Sequence, residues 1–141
     1  MKVVGFNLSK ISAEKKENFS SGKIHSNIEL LDLKKDEIEF LKEASGLNVK
    51  FKHTIDYHQN DDDDNKLAEI QFEGALILTL PSNEADEILE KWKDKKLPLE
   101  FKTPLYNFIL KRCTLKAVQL QDELNVPTHI KMPAIRTQLQ N

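Results

Sequence analysis

Two alternating runs joined by a polar loop commit the middle of the chain to an antiparallel hairpin. From Leu47 to His58, Leu47, Val49, Phe51, Ile55 and Tyr57 fall on one side, and Asn48, Lys50, Lys52, Thr54 and Asp56 fall on the other. Side chains that alternate with a period of two are the mark of a half-buried strand. From Lys66 to Leu80 the alternation resumes, with Ala68, Ile70, Phe72, Gly74, Leu76 and Leu78 opposed to Glu69, Gln71 and Glu73. Beyond Gly74 both faces turn apolar, through Ala75 and Ile77. The segment between the runs, His58 to Asn65, is all turn-forming and polar, as a solvated hairpin loop should be.

Two earlier runs show the same period: Lys2 to Ser12, through Val4, Phe6 and Leu8, and Lys23 to Leu33, through Ile24, Ser26, Ile28 and Leu30. Four such strands in succession predict a meander. Between the second and third, Asp36 to Ala44 carries Ile38, Phe40 and Leu41 at helical spacing and ends at Ser45-Gly46, which predicts a short helix.

The period then changes. After Pro81, Ser82 or Asn83 is placed to cap a helix with Glu84, Asp86 and Glu87 near its positive end and Ala85, Ile88, Leu89 and Trp92 as its core stripe, stopping by Leu97-Pro98. Thr103-Pro104 then offers a cap and a proline at the first helical position, and nothing interrupts the helix before Asn125-Val126-Pro127. At about 100° per residue, Leu105, Tyr106, Ile109, Leu110, Cys113, Ala117, Leu120 and Leu124 form one stripe, and Phe108, Leu115 and Val118 a second patch. A helix apolar on two sides needs a second partner, for which another copy of the subunit is the simplest candidate. The expectation is one α+β domain over residues 1–141, a four-stranded antiparallel sheet packed against a long C-terminal helix.

Composition narrows the function classes. The 21 basic and 23 acidic side chains nearly cancel, so no polyanion-binding surface is expected and nucleic acid is not the default partner. The single Cys113 allows neither an intrachain disulfide nor a Cys-rich zinc site, and at mid-stripe it reads as a small buried hydrophobe rather than a nucleophile. The start of the sequence, Met1 to Asn7, lacks a signal peptide's apolar core, and the longest apolar stretch, Gly74 to Leu80, is far short of a membrane span. A cytoplasmic protein that does not insert into membranes is expected.

No catalytic constellation emerges, and the reading is against an enzyme. The run Asp61 to Asp64 lacks the alternating ligands, glycine and glutamate of an EF-hand loop. His25, His53, His58 and His129 show no metal-ligand pairing, and His53, on the apolar side of its strand, reads as a core histidine. The four glycines are scattered and form no phosphate loop. No cofactor or metal is expected.

Several stretches nevertheless resemble the SecB family of ATP-independent export chaperones. Leu67-Ala68-Glu69-Ile70-Gln71-Phe72-Glu73-Gly74 is similar to the family's fourth strand, and Phe6-Asn7-Leu8-Ser9-Lys10-Ile11 to its first. Pro104-Leu105-Tyr106, followed by Cys113, is similar to the start of the main helix, and Pro127-Thr128-His129-Ile130-Lys131-Met132-Pro133 has the spacing of two family prolines. The resemblance implies a holdase for unfolded polypeptides, assembled as a homotetramer, a dimer of dimers, without nucleotide or metal. It implies a subunit interface at Ala68, Ile70 and Phe72, which the second helix patch, Phe108, Leu115 and Val118, would extend. It implies a client groove at Phe101, Leu105, Tyr106, Ile130, Met132 and Ile135, and an acidic face at Glu69 and Glu73 for a motor such as SecA. The chain departs from the family in its charged helical segment Ser82 to Phe101, its longer main helix and its short tail, which has no Cys or His after His129. A toxin-antitoxin-associated chaperone, or another oligomeric module with one native partner, is the alternative implied by the same fold.

Overall fold

The computed structural model describes residues 1–20, 22–36, 43–60, 65–135 and 137. Its strands are β1 (Lys2–Lys15), β2 (Lys23–Asp36), β3 (Ala44–His58) and β4 (Lys66–Pro81), followed by helices α1 (Ser82–Lys93) and α2 (Leu99–Leu124). All pairings are antiparallel, in the order β1-β4-β3-β2. The meander holds for β2, β3 and β4. β1 departs from it, crossing to the far edge to pair with β4, so the sheet has Greek-key order.

β1 changes sides twice. Shifts between Val3 and Gly5 and between Leu8 and Lys10 insert Val4 and Ser9 as extra residues, and each insertion reverses which side chains face inward. Val3, Phe6, Leu8 and Ala13 thereby all pack on the core, while Val4 stays half exposed. The alternation expected through Val4, Phe6 and Leu8 fails at Val4 for this reason.

The helix expected over Asp36 to Ala44 lies mostly outside the described residues; its two end residues are strand termini. In α1 the cap position is Pro81 and no side chain caps the helix. Ser82 is instead helical, and its Oγ accepts a hydrogen bond from Ser45 Oγ at 3.0 Å. α2 begins at Leu99, one turn before the expected start, which leaves Pro104 inside the helix. Thr103 is therefore not its cap. The extra turn brings Phe101 onto the core at 6% exposure, and that burial offsets the hydrogen bond Pro104 cannot donate. The C-terminus stops where expected: Asn125 is left-handed at φ 54, and Val126 N–H reaches Gln121 C=O at 3.0 Å.

The core lies between one sheet face and the helices. Leu47, Val49, Phe51, His53, Ile55 and Tyr57 of β3 face it, with Ala68, Ile70, Phe72, Gly74, Leu76 and Leu78 of β4. Gly74 is required here, because a Cβ on it would stand 2.3 Å from Asn7 O and 3.1 Å from Phe51 Cζ. Gly74→Ala is expected to lower stability by about 1–3 kcal/mol through overpacking and loss of β1 pairing. Gly5→Ala, whose Cβ would meet only Ile77 side-chain atoms at 3.4 Å or more, is the near-neutral comparison in denaturant titrations.

Candidate functional site

The buried residues of α2 are Phe101, Leu105, Ile109, Cys113, Ala117 and Gln121, an unbroken series at a spacing of four. Four residues advance about 400° around a helix, so each member of this row stands about 40° beyond the last. The buried direction therefore turns with the helix, as contact with a twisted sheet requires. This corrects the two-sided reading of α2. Phe108, Leu115 and Val118 form no common patch. Phe108 sits on the β1 side, 5.8 Å from the Phe6 ring, while Leu115 faces outward at 75% exposure and Val118 lies on the opposite flank, lining a cavity.

One position along from the buried row runs a second row: Lys102, Tyr106, Leu110, Thr114, Val118 and Asp122. Lys102 and Tyr106 line a cleft of about 420 Å³ with Ile28, Leu30, Trp92 and Leu97. Val118 and Asp122 line a cavity of about 650 Å³ with Asn125, Thr128 and Met132. Between them, Leu110 and Thr114 are half-buried. The row thus joins two hollows across 12 residues from Tyr106 to Val118, about 18 Å of helix, the length of roughly five residues of extended chain.

Of the residues expected in a client groove, Tyr106 borders the cleft and Ile130, Met132 and Ile135 are on the tail, exposed by 40%, 46% and 101%. Phe101 and Leu105 belong to the buried row, at 6% and 0% exposure, and are closed to a client. Ala68, Ile70 and Phe72 are likewise core, at 3% exposure or less. They do not form a subunit interface, because the face that carries them is packed under the chain's own helices. Glu69 and Glu73 are on the opposite, open face. Cross-strand register sets Glu73 in the row Lys10, Glu73, Lys52, Glu29 and Glu69 in the row Glu14, Glu69, Asp56, His25. Lys66 Nζ lies 2.6 Å from Glu69 Oε2 and 3.4 Å from Asp56 Oδ1. The hydrogen bond from Lys66 holds the Glu69 carboxyl below its ordinary range, while burial pushes Asp56 up.

A buried polar cluster fixes the tail, and sequence reasoning missed it. Gln121, fully buried at the end of the core row, donates from Nε2 to Tyr57 Oη at 2.9 Å, and the Tyr57 hydroxyl donates to Pro127 C=O. Gln121 Nε2 also lies 3.0 Å from His129 Nδ1. The same Nδ1 stands 3.3 Å from Gln121 Oε1, so the amide holds the ring in either tautomer, donating to it from Nε2 or accepting from it at Oε1. Nearby, His53 Nδ1 stands 3.1 Å from Asn27 C=O; a carbonyl only accepts, so Nδ1 carries the proton and Nε2 is a buried lone pair with no partner. His53 is thus a core histidine, stacked on Phe72 at 6.0 Å. Burial lowers the pKa of His53, partly opposed by the Asn27 bond. Burial also lowers that of His129, with a smaller contribution from the charge on His53. Cys113 is buried too, and desolvation pushes its thiol up to about 11, so it is not poised as a nucleophile at neutral pH.

Two depressed imidazoles make stability depend on acid. The unfolded chain protonates them near 6.5 and the folded chain only at lower pH, so their contribution is fully present above about pH 6.5 and is lost as pH falls through the folded values. Thermal unfolding from about pH 8 to about pH 5 is expected to show this loss. His129→Asn, which keeps an acceptor but does not titrate, should lose less on acidification than the unaltered chain. Equal pH dependence of the two would remove His129 from the cluster's titration.

No protein-family model matches the chain, and no curated protein matches it. Among solved structures it is similar to the Mycobacterium tuberculosis SecB-like chaperone Rv1957, in complex with a ChAD peptide from the Rv1956 HigA1 antitoxin. The likeness covers 97% of this chain and 92% of that one, at 14% identity and a TM-score of 0.47.

Proposed function

We propose that the chain is an ATP-independent holdase that binds non-native polypeptide along the groove flanking α2. One observation carries this reading: the half-buried row Tyr106, Leu110, Thr114 and Val118 joins two hollows and continues into a tail whose Ile130, Met132 and Ile135 are exposed. Ile130, Met132 and Ile135 gain little from this fold, since they lie exposed beyond Val126 and the polar contacts of Pro127 and His129. A surface of this kind, with a flexible methionine and aromatic groups at its ends, suits many apolar sequences with little selectivity.

The resemblance of the sequence to SecB supports a homotetramer, built as a dimer of dimers, and a cytoplasmic setting. Of the helix residues first assigned to an interface, Leu115 is the one that stands free to make it. Delivery of clients to a SecA-type motor through Glu69 and Glu73 is the finer form of the proposal, and a dedicated toxin-antitoxin partner is the alternative.

The test is aggregation of a chemically unfolded protein, followed by light scattering without ATP as the chain is added. Suppression that saturates is expected. Leu110→Asp with Val118→Asp should raise the amount of chain needed severalfold while the far-UV spectrum keeps its sheet content. Unaltered suppression by that variant would place the client elsewhere. Binding to one native protein, without effect on unfolded chains, would favour the dedicated partner. Leu115→Glu is expected to lower the mass of the assembly in light scattering without lowering the melting temperature, since the side chain touches no core.

A further inference from the structure

We infer that the tail beyond α2 is closed by a proton-sensitive latch made of His53 and His129. The strap from Val126 to His129 stays down while both rings are neutral, and acid releases it from a sheet that remains folded.

The first observation is where His53 sits. Cross-strand register places it in the core-side row Ile11, Phe72, His53 and Ile28, between the rows of Phe51 and Ile55. It is fully buried, and its Nε2 has no partner among the described residues. Phenylalanine or isoleucine fills such a position without leaving a polar atom unmet, so packing alone does not account for an imidazole there. A second proton on His53 falls on Nε2, since Nδ1 already donates to Asn27 C=O. The new N–H faces apolar side chains with no acceptor, and its charge is buried with it.

The second observation is the neighbour. His129 is half-buried, is tied to Gln121 and lies within the field of His53. Protonation alone does not break the Gln121 contact, because Oε1 accepts from a protonated Nδ1. It leaves two like charges in each other's field instead. No carboxylate compensates them: burial and the Asn27 carbonyl act on His53, and burial and the His53 charge act on His129. Glu29 of β2, Lys52 of β3 and Glu73 of β4 stand on the sheet's other face, and Asp122 of α2 and Lys131 of the tail are exposed. Tyr57, the remaining titratable group of the cluster, stays neutral because burial raises its pKa.

Only one of the two rings is free to leave. His53 is in a strand paired on both sides, whereas His129 lies beyond the helix stop at Asn125, on chain without helix or strand. At neutral pH the strap is held by Val126 in the core and by the bonds to Tyr57 and Gln121. In the released chain His129 titrates near 6.5, and His53 gains water; in the closed chain both rings titrate lower. Closure is therefore fully favoured above about pH 6.5 and is lost as pH falls through the closed values. With two protons the ratio of released to closed chain rises by up to about 100-fold per pH unit. Release exposes Val126 and opens the hollow that it lines with Val118 and Thr128, so the groove lengthens in acid whatever it binds.

The test is NMR of the full chain from about pH 8 to about pH 5, with labels at the histidine rings, valine methyls and backbone amides. Both histidine rings, the Val126 methyls and the Tyr57 ring are expected to shift in one transition, steeper than a single proton allows. The amides of β3 and β4 should keep their protection from exchange across it. His129→Asn should cut the steepness to about tenfold per pH unit at most, and His53→Phe should do the same. Tyr57→Phe removes the Pro127 bond and leaves both rings, so it should raise the midpoint by about 0.4 pH unit at unchanged steepness. Rings that titrate while Val126 and Tyr57 stay still overturn the latch. Loss of β3 and β4 protection at the same midpoint overturns local release, since the whole chain then unfolds. An undiminished transition in His129→Asn, which alters the tail and leaves the core intact, overturns the pairing of the two rings.

Discussion

A single helix is too narrow for this sheet, and the groove follows from that mismatch. A helix with its side chains is about 10 Å across, while four strands spaced about 4.8 Å apart span some 14 Å between outer axes and more with their edges. α2 buries one row of residues, Phe101 to Gln121, with Phe108 beside it on Phe6, and lies over β1 and β4. α1 packs against β2, β3 and β4 but is only 12 residues long. What the helices cover only in part is the inward side of β2, where Leu33 is buried but Ile24, Ile28 and Leu30 remain half-buried. The row beside the core row then becomes the second wall of an open channel.

The last member of the core row governs the tail. At every other position the row is Phe, Leu, Ile, Cys or Ala; at its end it is Gln121, fully buried. A buried amide without partners costs several times what a satisfied one contributes, so Gln121 ties Tyr57, Pro127 and His129 into one cluster. The same residue that closes the helix–sheet contact thus decides where the chain goes next. It also separates two kinds of surface, the packed core before it and the exposed Ile130, Met132 and Ile135 after it.

The strands were legible because the period of two survives a single reading direction, and β3 and β4 have the faces that Leu47 to Tyr57 and Ala68 to Leu78 imply. Sheet order was not legible, since no local pattern records which edge β1 joins. Val4 was misplaced because a bulge is one residue long and leaves no compositional mark. On α2 the residues of the core were legible while their grouping was not: projecting Phe108, Leu115 and Val118 onto one fixed axis makes a patch, and a buried direction that turns about 40° every four residues disperses it. Phe101 and Leu105 look like groove residues for the same reason, being apolar and early in the helix. Gln121 carried no signal, because a polar residue on a helix is ordinarily read as exposed. Its spacing of four from Ala117 was the clue available.

A groove assembled in this way can change without endangering the fold. The hydrophobic stabilisation is concentrated in Leu47 to Tyr57, Ile70 to Leu80 and the core row of α2, all at or near full burial. The groove residues are half-buried, and the start of the tail is tied down by Val126 in the core and by hydrogen bonds among Tyr57, Gln121, His129 and the Pro127 carbonyl. Displacing that tail exposes a few polar groups to water, which re-forms their bonds, whereas displacing α2 would expose the whole core row.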